Sequence, residues 1–239
     1  MTAIDPALAE RYASVMQGVA DACRAAERSV DEITTVVVTK FHPASVIEQL
    51  AALGVTDVGE NRHQDAAPKA AALAALPLTW HFVGQLQSNK ARAVTEYARV
   101  IHSIDRPSLV AALSRVDREI DVFIEVNLTH DEGRGGAEPG EVLGLAESVL
   151  DVPNLRLRGV MAVAPLDEPA RAAFARLRSI SDQLRALAPE AWSISAGMSG
   201  ITPTRSPRAR HTCASERQSP ENALPSPNLD SVTTGKDGT

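Results

Sequence analysis

A (β/α)8 TIM-type barrel, an α/β fold, is what this sequence predicts, and three observations carry the prediction. Short runs rich in β-branched and aromatic residues alternate with longer stretches rich in Ala, Leu and Glu. The runs are nearly continuous in apolar character, as strands covered on both faces must be, and the stretches between them supply crossover helices. The 239 residues suit one such domain with a sizeable core. Seven strands are recognisable, so an eighth strand and a last helix are missing from the pattern. An open doubly wound sheet is the second choice.

The elements follow in order. From Pro6 to Arg28, apolar residues recur at Leu8, Tyr12, Val15, Met16, Val19 and Cys23, the three-and-four spacing of one helical face. The strand runs are Thr35 to Thr39, Val55 to Gly59, Trp80 to Val83, Val100 to Ile104, Val122 to Asn127, Leu157 to Val163 and Ser193 to Ala196. After Gly200 the composition changes to Pro, Arg, Ser and Thr with scattered apolars, too little burial to offset the entropy of ordering.

Composition narrows the function classes. The two cysteines, Cys23 and Cys213, have no disulfide or metal-ligand spacing, which points to a reducing compartment; Cys23 reads as helix packing. No apolar run approaches the roughly 18 residues of a membrane span, and the acidic N-terminus is unlike a signal peptide, so a cytoplasmic, non-membrane protein is expected. A net charge of −6 with few aromatics offers no electrostatic footprint for nucleic acid. No metal site is expected.

In a parallel barrel, reactive groups project from the C-terminal ends of strands. The residues closing the runs are Lys40, Glu60 with Asn61, Gly84 with Gln85, Ser103 with Asp105, Asn127, Met161 and the turn Gly197-Met198-Ser199-Gly200. From position alone Lys40 is a solvated surface charge. Its functional alternative is a desolvated amine that condenses with an aldehyde. The segment Ser195 to Gly200 carries glycines and hydroxyls whose backbone N–H groups can cradle a phosphate, although small residues also make ordinary turns. His81 sits inside its strand and reads as a hydrogen-bonded core histidine. The stretch Gly133-Arg134-Gly135-Gly136 reads as a flexible loop with Arg134 in solvent, anion contact by Arg134 being the less favoured alternative.

Together the motifs Val-Val-Thr-Lys40, Gly59-Glu60-Asn61, Trp80 to Lys90 (WHFVGQLQSNK), Ile101-His102-Ser103-Ile104-Asp105 and Gly197-Met198-Ser199-Gly200 resemble the pyridoxal phosphate homeostasis protein family, relatives of the barrel domain of alanine racemase. The resemblance runs from the first helix to Gly200. It implies a fold-type III barrel that carries pyridoxal 5′-phosphate as an internal aldimine on Lys40 in vitamin B6 homeostasis. By the same resemblance, Gly197, Met198 and Ser199 contact the phosphate, and Asn61 and His81 line the ring side. With Met161 and Ser195 at strand mouths, these complete the cofactor-binding set. The family is regarded as delivering the cofactor to apoenzymes that depend on it, without turnover, and a monomer or weak dimer is expected. No catalytic residue is assigned: Tyr12 and Tyr97, the two tyrosines, are away from strand mouths, leaving no base opposite Lys40. The alternatives are a racemase-like enzyme and a product impaired in cofactor binding.

The family continues after Gly-Met-Ser with an acidic residue, a helix and an eighth strand resembling G-A-T-H-V-R-I-G-T-A-I-T-G-K-R, absent from this chain. Reading the tail one base out of frame, Ala209 to Ala223 permit that strand at every position, and Ile201 to Ser206 permit the start of the helix. The expected organisation is therefore an incomplete cofactor-binding barrel over residues 1–200 and a disordered, frameshifted tail over residues 201–239.

Overall fold

The computed structural model describes residues 3–129, 131 and 133–196, with the backbone alone for residues 230–235. The chain enters through α1 (Pro6–Ala25), where the Asp5 carboxylate accepts a hydrogen bond from the Ala7 N–H at 2.9 Å and Pro6 stands where a missing N–H costs nothing. The helix stops short of Arg28 because Glu27 turns to a φ of 55°. Cys23 is buried in its inner face.

Strands and helices then alternate: β1 (Ile33–Val38), α2 (Ala44–Ala52), β2 (Asp57–Glu60), α3 (His63–Ala72), β3 (Thr79–Phe82), α4 (Ala91–Thr95), β4 (Ala98–Ile104), α5 (Pro107–Leu113), β5 (Ile120–Glu125), α6 (Val142–Leu150), β6 (Leu155–Ala162), α7 (Ala170–Leu187) and β7 (Ser193–Ala196). Neighbours from β1 to β7 pair in parallel, in chain order. The seven expected strands and the barrel architecture are thus present.

The eighth position holds β8 (Asp230–Gly235), which runs antiparallel to both β1 and β7 and closes the barrel. The expectation that residues 201–239 lie outside the barrel is corrected for these six. A ring of seven would leave unpaired N–H and C=O groups along β1 and β7. The run Val232-Thr233-Thr234 is β-branched and suits a strand. The parallel eighth strand of a regular barrel does not occur among the described residues.

Side chains alternate between lumen and helix layer. Outward strand residues such as Ile101 and Ile124 form the main core with Leu109, Leu145 and Leu177 of the helices. Two small apolar clusters lie apart from it, one of Val36 and Val38 with Val83, the other of Val100, Phe123 and Met161 with Val163. His102 on β4 bonds Ser195 on β7, strands that are not neighbours, so the side chains meet across the lumen. No helix among the described residues is long and apolar enough to cross a membrane.

The closest backbone approach is at Gly159, whose φ is 149° and where an added Cβ would lie 1.7 Å from the Ser193 carbonyl oxygen. Gly159→Ala is expected to destabilise the chain by roughly 3 kcal/mol or more through backbone strain and a forced β6–β7 separation. Denaturant unfolding of the two chains measures this.

Candidate functional site

Lys40 lies two residues past the end of β1, and the backbone that presents it is held by a buried polar cluster. The Thr39 N–H donates to the Gly59 carbonyl at 2.8 Å, and the Thr39 hydroxyl donates to Glu60 Oε1 at 2.8 Å. Lys69, reaching in from α3, donates to the same Oε1 at 2.6 Å and to the Thr39 carbonyl at 3.0 Å. Glu60 is fully buried, with Lys69 as its ion-pair partner. On the other side of Lys40, Phe41 takes a φ of 67° with its ring exposed. A bulky residue in that region costs on the order of 1–3 kcal/mol, which the surrounding bonds must sustain.

A cavity of about 320 Å³ opens at the C-terminal ends of the strands, within the roughly 300–1,000 Å³ range of small-molecule sites. Lys40, Asn61, Met161 and Ser195 all line it, so four of the eight residues of the expected cofactor-binding set are brought together. Gly197, Met198 and Ser199 lie outside the described residues. His81 corrects the expectation that it lines the ring side. It points into the lumen one inward step deeper than Val83, which does line the cavity, and it is buried between Asp57 and His102.

Two polar residues in the cavity wall were not expected there. Glu125, the last residue of β5, follows two apolar residues and carries no motif, so only the closed sheet reveals its position. Burial pushes its carboxyl up to about 7, Asp105 pushes the same way and Arg134 opposes. Its Oε2 makes no hydrogen bond. Arg134 corrects the reading of its loop as solvated, for it lines the cavity too. The cause is the loop's anchorage: Val126 pairs with Ala137, and Gly136, at a φ of 113°, sits where a Cβ would meet the Asn127 backbone nitrogen at 2.6 Å. The pair Gly135-Gly136 is the signal that allows this approach.

Chemically, the cavity combines the amine of Lys40, the guanidinium of Arg134, the amides of Asn61 and Asn127, the hydroxyl of Ser195 and apolar walls at Val38 and Met161. Asn61 Oδ1 is a buried acceptor without a hydrogen bond. This set fits a small, planar, anionic aldehyde whose ring can carry a donor to Asn61. Among the described residues, no group of His, Cys, Asp and Glu could hold a metal ion.

A family model for the alanine racemase N-terminal domain matches residues 19–213. The pyridoxal phosphate homeostasis protein of Pseudomonas aeruginosa is 39% identical over 180 residues, spanning 72% of this chain and 78% of that protein. Its counterpart in Mycobacterium bovis is 36% identical over 215 residues, spanning 80% and 83%. Among solved structures, PipY of Synechococcus elongatus with PLP bound superposes with a TM-score of 0.70 at 33% identity, covering 81% of this chain and 90% of that one. The alanine racemase of Corynebacterium glutamicum superposes with a TM-score of 0.59 at 16% identity, a likeness of fold.

Two outcomes follow from the buried carboxyls. Lys69→Met leaves Glu60 uncompensated and is expected to cost about 3–5 kcal/mol, with Glu60→Gln in the same chain recovering part of the loss in urea unfolding. Glu125 has its carboxyl raised from an ordinary 4.5 to about 7, so the folded state retains a proton that the unfolded state releases. Stability therefore falls as pH rises from about 4.5 to 7, by roughly 3 kcal/mol. Glu125→Gln is expected to abolish that slope and to be the more stable chain at pH 8, as read by unfolding at pH 4.5 and pH 8.

Proposed function

Because the chain belongs to the alanine racemase N-terminal domain family, among the pyridoxal phosphate homeostasis proteins, we propose that it binds pyridoxal 5′-phosphate through Lys40 and buffers it in vitamin B6 homeostasis without turnover. The observation that carries this reading is that Lys40 shares one cavity with Asn61, Met161 and Ser195. The cofactor supplies an aldehyde with which a lysine amine condenses. Lys40 holds the ligand in place, Asn61 and Ser195 hydrogen-bond it, and Arg134 brings positive charge to the cavity that favours an anion. Gly197, Met198 and Ser199 complete the proposed phosphate contacts. The reading places the chain in a reducing, cytoplasmic compartment, as a monomer or weak dimer, with apoenzymes that require the cofactor as recipients.

Adding pyridoxal phosphate to the purified chain is expected to produce a visible absorbance band that borohydride fixes as a mass increment on Lys40. Lys40→Ala is expected to lose both signals. A retained band in that variant would remove Lys40 from the role.

One observation favours a second reading, a racemase-like activity: Glu125, poised near neutrality, lines the same cavity as Lys40 and offers an acid/base group that the tyrosines do not. Amino-acid racemisation that depends on both Lys40 and Glu125 would establish it.

We further propose that residues 201–239 arise from a one-base frame slip near codon 200. Restoring the frame is expected to tighten pyridoxal phosphate binding at least about tenfold, since an added pair of charge-assisted hydrogen bonds is worth that much or more. Equal affinity in the two chains would show that closure by the antiparallel β8 suffices.

A further inference from the structure

The lumen of a barrel is usually filled by layers of branched aliphatic side chains. Here a line of polar groups crosses it. Asp57 Oδ1 lies 2.9 Å from His81 Nε2, His81 Nδ1 lies 2.9 Å from His102 Nε2, and His102 Nδ1 lies 2.8 Å from Ser195 Oγ. His81, His102 and Ser195 are buried, His102 completely. All four imidazole nitrogens are therefore partnered, and the line runs from the first residue of β2, at the base of the barrel, to the wall of the cavity at the mouth. His102 is further fixed by stacking on Phe123, with ring centroids 4.7 Å apart and planes 11° from parallel.

Such a line has a direction when one end can only accept. Asp57 is that end. Burial works to raise its carboxyl, but hydrogen bonds from His81 and from the Thr56 hydroxyl, at 2.6 Å, outweigh it and hold the group below its usual range. Burial also holds His102 well below the usual imidazole range, so this ring carries one proton. With one proton on each ring, one arrangement satisfies every atom, whereas a doubly protonated His81 would donate at both nitrogens and reverse the His102–Ser195 bond. His81 Nε2–H donates to Asp57, His102 Nε2–H donates to His81 Nδ1, and the Ser195 hydroxyl donates to His102 Nδ1.

We infer that Asp57, His81 and His102 act as positioning residues that turn the Ser195 proton away from the cavity, so that Ser195 offers a bound ligand only an acceptor. The ligand edge facing Ser195 must then be a donor: a protonated ring nitrogen or a ring hydroxyl, not a phosphate or carboxylate oxygen. The inference deepens the pyridoxal phosphate reading, on which its ligand half rests. It selects an edge of the ring rather than the phosphate for Ser195, and thereby an orientation for the ligand.

Long-range proton–nitrogen NMR on the ligand-free chain at pH 8 tests the direction without reference to any cofactor. Both His81 and His102 are expected with the proton on Nε2. A proton on His102 Nδ1 would reverse the line and overturn the inference. In Asp57→Asn the terminal group donates as well as accepts, so His102 is expected to populate the Nδ1–H form; an unchanged tautomer would remove Asp57 from its role. The ligand half is read in Ser195→Ala, with thermal unfolding to confirm the fold. Affinity for pyridoxal phosphate is expected to fall about three- to tenfold, while inorganic phosphate competes as well as before. An equal loss for phosphate would make Ser195 an anion donor and overturn the inference. Failure of every version to bind pyridoxal phosphate, with the tautomers as expected, would defeat the cofactor reading and leave the direction of the relay standing.

Discussion

Closure of the sheet is the constraint on which the remaining structure depends. Parallel pairing from β1 to β7 sends the C-terminal ends of these strands to one rim, and residues scattered from position 40 to position 195 meet there only because the ring comes round. A closed ring also has no free edge. In this chain the last gap is filled by β8 in the opposite direction, which satisfies β1 and β7 in their backbone groups although it does not repeat the βα pattern of the other strands. Backbone pairing tolerates either direction; the side chains delivered to the rim differ.

The polar groups inside the barrel obey a stricter rule than those at its surface. A buried group left without a partner costs free energy that a surface group recovers from water. Glu60 is held by Thr39 and Lys69, and the line from Asp57 to Ser195 satisfies every imidazole nitrogen. These two networks flank the cavity, one behind the backbone that presents Lys40 and one beneath Ser195. Of the buried side-chain atoms without a hydrogen bond, Asn61 Oδ1 and Glu125 Oε2 are in the cavity wall, and Glu60 Oε2 lies behind it.

Much of this was legible from local pattern. The strands announce themselves as apolar runs because both faces are covered, and the rim residues Lys40, Asn61, Met161 and Ser195 follow because a strand end marks the rim. His81, read from its strand as a hydrogen-bonded core histidine, is one in the lumen, and only the resemblance had put it on the ring side. Arg134 was assigned to solvent because its glycine-rich loop looks unrestrained; the pairing of Val126 with Ala137 and the seat of Gly136 against Asn127 restrain it. Glu125 carried no local signal. Its altered acidity comes from burial and from Asp105 and Arg134, which lie at other points along the chain.

What the sequence by itself determined is the architecture, the family and the place of Lys40 at a strand mouth, because each depends on periodicity or on a contiguous motif. Only the tertiary structure decided which polar groups share a cavity, which strand fills the eighth position and in which direction, and that His102 reaches across the lumen to Ser195. These are contacts between residues far apart in the chain, chosen by how the ring closes, and no local pattern of residues encodes them.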